Sequence, residues 1–204
     1  MIRIAVITGT TRPGTKAPAV AEWIIAQAKD RVDAEFIGLD IADFHLPLLD
    51  EPVPPMRGQY TKDHTKRWSE AVSGFEGFIF VTPEYNHGPA PALVNAIDYL
   101  AKEWSDKAAA FVSYGAQAGG VRAVEPLRSM LASLNVATIA NQVQLSLFTD
   151  FEGFARPAPP QAKAEELKAL FDQLTKWTIA LRALRAGTPL IGQPRTAGER
   201  SHPG

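Results

Sequence analysis

The sequence predicts a doubly wound α/β domain: a five-stranded parallel sheet with helices on both faces. Two observations predict it. Short continuous apolar runs alternate along the chain with longer amphipathic stretches, and runs without polar alternation suit strands buried on both faces. Each run is followed by a helical pattern, and that alternation gives right-handed crossovers within one open sheet.

The runs are residues 2–7, the weaker 35–39, then 77–81, 108–113 and 136–143. Between them, residues 18–29 place Val20, Trp23, Ile24 and Ala28 on one stripe. Residues 61–73 begin at a threonine and carry Trp68 and Val72 four apart. Residues 90–101 align Leu93, Ile97 and Leu100, and 120–134 align Val124, Leu127, Met130, Leu131 and Leu134. The longest helical pattern, 161–184, carries Leu167, Leu170, Phe171, Leu174, Trp177, Ile179 and Leu181. These spacings are those of amphipathic helices. Residues 44–60, with prolines at 47, 52, 54 and 55, read as a surface connection. One domain is expected over residues 1–186. Residues 187–204 are rich in Gly and Pro and read as a tail or as an arm gripping a partner subunit.

At 204 residues, 46% hydrophobic and 21% charged, the chain is globular and sized for one domain. A net charge of -1 gives no reason to expect nucleic acid or an anionic membrane as partner. With no cysteine, disulfides, iron–sulfur clusters and cysteine nucleophiles are excluded. The first apolar run is too short for a leader, and no run reaches the roughly 20 apolar residues of a membrane span. A cytoplasmic protein is expected. No metal motif occurs, and His45, His64, His87 and His202 do not pair at metal spacing.

Three loops follow strands and could carry chemistry. In open α/β sheets ligands sit at the carboxyl ends of strands, at a topological switch point. Loops after strands one, three and four meet there if the order is 2-1-3-4-5. The first, Thr8-Gly-Thr-Thr-Arg-Pro-Gly-Thr-Lys-Ala-Pro18, joins hydroxyls, Arg12 and Lys16 to a helix N-terminus. That composition suits a phosphate cradle or a simple helix cap. It lacks both the G-K-[ST] ending and the dinucleotide fingerprint. The second, Thr82-Pro-Glu-Tyr-Asn-His-Gly-Pro-Ala-Pro91, is stiffened by proline, and its glycine permits an unusual backbone angle. Tyr85 could cover a flat ring and Asn86 could bond its edge. His87 offers proton transfer, although a lone loop histidine is more often solvated. Glu84 could be a helix-start carboxylate without chemistry. The third, Ser113-Tyr-Gly-Ala-Gln-Ala-Gly-Gly120, brings backbone close to a ligand or to a neighbouring loop.

With these motifs the chain resembles the NAD(P)H-dependent FMN reductases, a flavodoxin-like family that includes quinone, azo-dye and chromate reductases. Gly9-Thr-Thr-Arg-Pro-Gly14 resembles the family's phosphate loop. Pro83-Glu-Tyr-Asn86 and the helix start Pro91-Ala-Leu-Val-Asn-Ala-Ile-Asp98 resemble its P-E-Y-N signature. Ser113-Tyr-Gly115 with Gly119-Gly120 resembles its fourth-strand loop. Sequence order alone does not separate the flavodoxin-like order from a Rossmann-like one; the resemblance implies 2-1-3-4-5. It implies FMN phosphate contacts from Thr10, Arg12, Thr15, Lys16, Ala17 and Pro18. It implies ring contacts from Pro83, Glu84, Tyr85, Asn86, Ser113, Tyr114 and Gly115. Hydride from NADPH or NADH would pass through FMN to a flavin, quinone, azo or similar small acceptor. No catalytic side chain is expected, because the cofactor carries the chemistry. The family's flavin rests near a subunit interface, so a homodimer or homotetramer is expected. The family's lysine at position 94 is Val94 here, which removes a pair one turn before Asp98. An FMN electron carrier or a non-catalytic flavin-responsive module is the alternative; such carriers are typically strongly acidic, unlike this chain.

Overall fold

The computed structural model describes residues 1–187. The expected tail or arm lies outside the described residues except for Gly187. Five strands form one parallel sheet: β1 (Ile2–Thr8), β2 (Ala34–Asp40), β3 (Gly77–Pro83), β4 (Ala108–Gly115) and β5 (Ala137–Ser146), in the order β2-β1-β3-β4-β5. This is the flavodoxin-like order.

Apart from exposed Arg3, the central three strands are buried along their length because successive side chains feed opposite cores. Ile4, Val6, Ile79, Val81, Ala110 and Val112 face α1 (Ala17–Ala28) and α5 (Gln161–Arg185), meeting Val20, Ile24, Leu170 and Leu174. Ile7, Phe78, Phe80 and Phe111 face α2 (Asp63–Ser73), α3 (Pro91–Asp98) and α4 (Val121–Ser133). The second face is aromatic. The Trp104 ring lies 4.9 Å from Phe78, 5.9 Å from Phe80 and 6.0 Å from Trp68. Its indole N–H donates to the Ile97 carbonyl at 3.1 Å, which makes full burial of the ring affordable.

The sequence placed the start of the second helix at Thr61. The helix begins at Asp63, and its cap comes from outside it: the Glu51 carboxylate accepts from the Thr61 and Lys62 amides at 3.0–3.1 Å and from the Thr61 hydroxyl at 2.8 Å. Burial pushes the Glu51 carboxyl up, but these donors outweigh it and hold it down at about 2. The proline-rich connection is pinned as well. Asn95 donates to the Pro47 carbonyl at 2.6 Å and accepts from the Leu49 amide at 2.9 Å. The Tyr99 hydroxyl donates to Asp50 at 3.0 Å. Strand β5 runs past its predicted end and bulges: Ala109 pairs with Thr138, but Phe111 pairs with Gln142. Arg128 fills the bulge, donating to the Ile139 carbonyl at 2.7 Å and to Gln142 at 2.8 Å, with its guanidinium 4.9 Å from the Phe111 ring centre. A short hairpin, β6 (Phe151–Glu152) and β7 (Arg156–Pro157), precedes α5 and was not expected.

Trp104→Ala is expected to destabilise the fold by about 3–5 kcal/mol, the cost of a large buried aromatic, measured by urea unfolding. Glu51→Gln should lower the melting temperature near neutral pH. The gap to the wild type should close as pH falls from about 5 towards about 2, because the native carboxylate then takes up the proton that the unfolded chain already binds.

Candidate cofactor site

β1 and β3 are neighbours, yet the chain leaves β1 towards β2 and leaves β3 towards β4. The connections diverge and open a crevice at the carboxyl edge, where the loops after β1, β3 and β4 meet.

The first loop is welded to β3. The Gly9 amide donates to the Val81 carbonyl at 2.8 Å, and a Cβ at position 9 would lie 2.8 Å from that same oxygen. Only glycine fits so close an approach. Beyond it, Thr15 turns back on Arg12 and accepts from the Ala17 amide at 3.3 Å, starting α1. No acidic residue occupies the first turn of α1, so its positive end is not neutralised there. The Thr10, Thr11 and Gly14 amides have no protein acceptor among the described residues. Orphaned amides, an unneutralised helix start, threonine hydroxyls and a guanidinium are the donor set that a phosphate monoester requires.

Two tyrosines from the other loops close over this loop. The Thr10 hydroxyl meets the Tyr85 hydroxyl at 3.0 Å, and the Thr15 hydroxyl meets that of Tyr114 at 2.7 Å. The Arg12 guanidinium lies 5.6 Å from the Tyr85 ring centre. Burial pushes the Tyr114 hydroxyl up to about 12, against the lowering effect of Thr15, so it stays protonated at physiological pH.

The second loop is a tight hairpin. The Tyr85 and Gly88 amides each donate to the other's carbonyl at 2.9 Å. Asn86 (φ 48°) and His87 (φ 64°) both take left-handed angles, the pattern of a type I′ turn. The sequence reading gave the unusual angle to the glycine; the register instead puts Gly88 at the closing position. Asparagine tolerates this conformation and histidine does so less well, which marks the tip as strained. The Asn86 and His87 amides have no protein acceptor among the described residues. The His87 side chain is exposed and makes no hydrogen bond among the described residues.

The third loop folds back on its own strand. The buried Ser113 hydroxyl donates to the Gly119 carbonyl at 2.7 Å. Gly120 sits at φ 84°, and a Cβ there would lie 2.8 Å from the Tyr114 carbonyl oxygen. Between the two readings of these glycines, the neighbouring backbone accounts for Gly120. Gly115 is tied to the segment after β5, its carbonyl accepting from the Leu147 amide at 2.8 Å.

The structure thus gathers Thr10, Arg12, Thr15, Tyr85 and Tyr114 into one bonded cluster, with residues 16–18 at the start of α1 and Pro83, Asn86 and Gly115 on its border. The Ser113 side chain is turned inward. Arg122 and Arg128, at the start and middle of α4, are both paired, with Glu84 and with the Ile139 carbonyl. Asp98 has no cation within salt-bridge distance among the described residues, and partial burial raises its carboxyl above the ordinary range. Sequence reading missed Asn95, which lines a small cleft of about 50 Å³ with Thr11, Ile41, Leu46 and Ala92 at the edge of the first loop. Its polar side chain on an otherwise apolar stripe was the available signal. A larger cleft of about 550 Å³ lies elsewhere, between α1 and α5; its Arg31 is already held by Asp33 at 2.6 Å and Asp172 at 2.7 Å.

The family model for NADPH-dependent FMN reductases matches residues 2–150. The chain belongs to the NADPH-dependent FMN reductase family. The match spans all three loops. An NAD(P)H-dependent FMN reductase, ntnL, of Nectria sp is 35% identical over 201 residues, 96% of this chain and 100% of the relative. An NAD(P)H-dependent FMN reductase of Schizosaccharomyces pombe is 34% identical over 179 residues, 85% of this chain and 89% of the relative. Among solved structures, the flavoenzyme NAD(P)H:(acceptor) oxidoreductase FerB from Paracoccus denitrificans superposes with a TM-score of 0.69 at 19% identity, over 88% of this chain and 98% of that one, and shares its fold.

Gly120→Ala is expected to cost about 2 kcal/mol or more, since it adds both a strained φ and a backbone clash. Thermal unfolding of the purified variant measures it.

Proposed function

We propose that the chain is an FMN-dependent oxidoreductase that takes hydride from NADPH or NADH and delivers the electrons to a small acceptor such as a flavin, quinone or azo compound. The observation that carries the reading is the phosphate-type donor set of the first loop, bonded through Tyr85 to the strained hairpin at the switch point, in a chain of this family. Bound FMN supplies the two-electron chemistry.

The protein's own residues bind and orient. Thr10, Arg12, Thr15, Lys16, Ala17 and Pro18 hold the phosphate at the start of α1, where charge-assisted bonds and the helix end act together. Pro83, Glu84, Tyr85 and Asn86 present the ring-side backbone, with Ser113, Tyr114 and Gly115 beside them. The Asn86 and His87 amides, without a protein acceptor among the described residues, offer donors to negative charge on the ring edge without a titrating side chain. Tyr85 and Tyr114 lend hydroxyls to the loop's threonines and cover it from water.

A homodimer or homotetramer belongs to the same proposal. Support comes from the family resemblance and from Leu48 and Met56, which are 84% and 77% exposed on the connection between β2 and α2. A cytoplasmic location fits the need for a pool of NAD(P)H. Among the described residues no helix is long and apolar enough to cross a membrane.

Purified protein mixed anaerobically with FMN should show a perturbed flavin band that bleaches on adding NADPH or NADH. A band that stays yellow with both would refute the reductase reading. Arg12→Ala should raise the FMN dissociation constant by about tenfold or more, the loss expected for hydrogen bonds to a charged group; an unchanged constant would remove Arg12 from the site.

A further inference from the structure

We infer that Glu84 and Arg122 form a positioning ion pair that fastens the 85–88 hairpin to the start of α4 and so holds the ring side of the site. The inference deepens the cofactor reading and rests on it for its functional meaning. The Glu84 side chain is 8% exposed, the lowest value of any carboxylate in an ion pair among the described residues. Its carboxylate accepts from the Arg122 amide at 3.2 Å and from Arg122 Nε at 2.7 Å, and Arg122 Nη2 approaches the same oxygen as Nε. The side chain is therefore committed to α4. The Glu84 amide is also committed, donating to the Tyr114 carbonyl at 3.1 Å.

The arrangement explains two otherwise separate features. α4 starts at Val121 after Gly120, with no side-chain cap and no acidic residue of its own in the first turn. Glu84, distant in sequence, supplies that charge to the helix start. The hairpin carries two non-glycine residues in left-handed angles, a conformation that persists only where its surroundings impose it. Behind it, Glu84 is bonded to β4 through its amide and to α4 through its carboxylate. Replacing either partner leaves the other without its counter-charge, and the fastening loosens. Glu84 thus serves the flavin side through its backbone and its anchorage, and its carboxylate is not a ring ligand.

Glu84→Gln, Arg122→Ala and the double variant test this. Arg122 is 46% exposed at its side chain, so its truncation leaves the core intact even if Glu84→Gln folds poorly. In the cofactor-free protein, amide hydrogen exchange at Tyr85 and Gly88 should quicken by about tenfold in each single variant, and no further in the double variant, because one interaction is lost in all three. FMN titration should show a weaker dissociation constant by a similar factor. The midpoint potential of bound FMN should shift in opposite directions: more negative in Arg122→Ala, which leaves an unneutralised carboxylate, and more positive in Glu84→Gln. A general loss of stability does not produce opposite shifts. Unchanged exchange in folded variants, acceleration spread evenly over the sheet, single effects that multiply in the double variant, or potentials that move together would each overturn the inference. Wild-type protein that binds no FMN would overturn the cofactor reading alone, since exchange tests the fastening without FMN.

Discussion

Everything at the carboxyl edge depends on one constraint: the strand order β2-β1-β3-β4-β5 sends the connections of β1 and β3 in opposite directions, and right-handed crossovers then place their helices on opposite faces. Adjacent strands then part at their ends without parting along their length, and the crevice needs no cavity in the core. The Gly9–Val81 bond keeps the strands together to the last residue before they diverge. Because the crevice floor is backbone, ligand groups meet amides whose positions are set by the sheet. The site inherits its rigidity from two cores that bury the three central strands from both sides.

The donor cluster follows from that placement. Threonine hydroxyls of the first loop are satisfied by tyrosines of the second and third, so residues far apart in the chain are already aligned. On the proposed reading, a phosphate entering the loop would exchange these bonds for stronger, charge-assisted ones and would have little ordering to impose. The aromatic layer on the α2–α4 face plays the complementary part, since its packed rings leave the strand ends little freedom to shift.

Much of this was legible in the residues. Strands buried on two faces show as unbroken apolar runs, and Phe78 to Val81 could hardly have been read otherwise. The loops announced themselves through glycine, proline and threonine directly after those runs. What stayed hidden was long-range. Of the two readings open for Glu84, a flavin-ring contact or a helix-start carboxylate, its carboxylate meets the second, but for α4, 38 positions away in sequence. Thr61 resembled a helix cap, yet Glu51 does the capping from a connection whose path no periodicity reveals. The end of β5 was missed because Gln144 and Ser146 break the apolar run, as an edge strand permits. The left-handed angles fell on Asn86 and His87 because hairpin closure, a pairing property, assigns them.

The bulge in β5 reaches beyond local geometry. An outer strand of a sheet is an invitation to any extended peptide that can add to it. Here the middle of that strand is out of register, Arg128 occupies the Ile139 carbonyl, and the Asn141 amide is already donated to the Gln173 side chain at 3.1 Å. An incoming strand would find its hydrogen-bonding row interrupted at the centre. On this flank, copies of the chain are kept from zipping together edge to edge, and any self-association must be built from helix and loop surfaces instead.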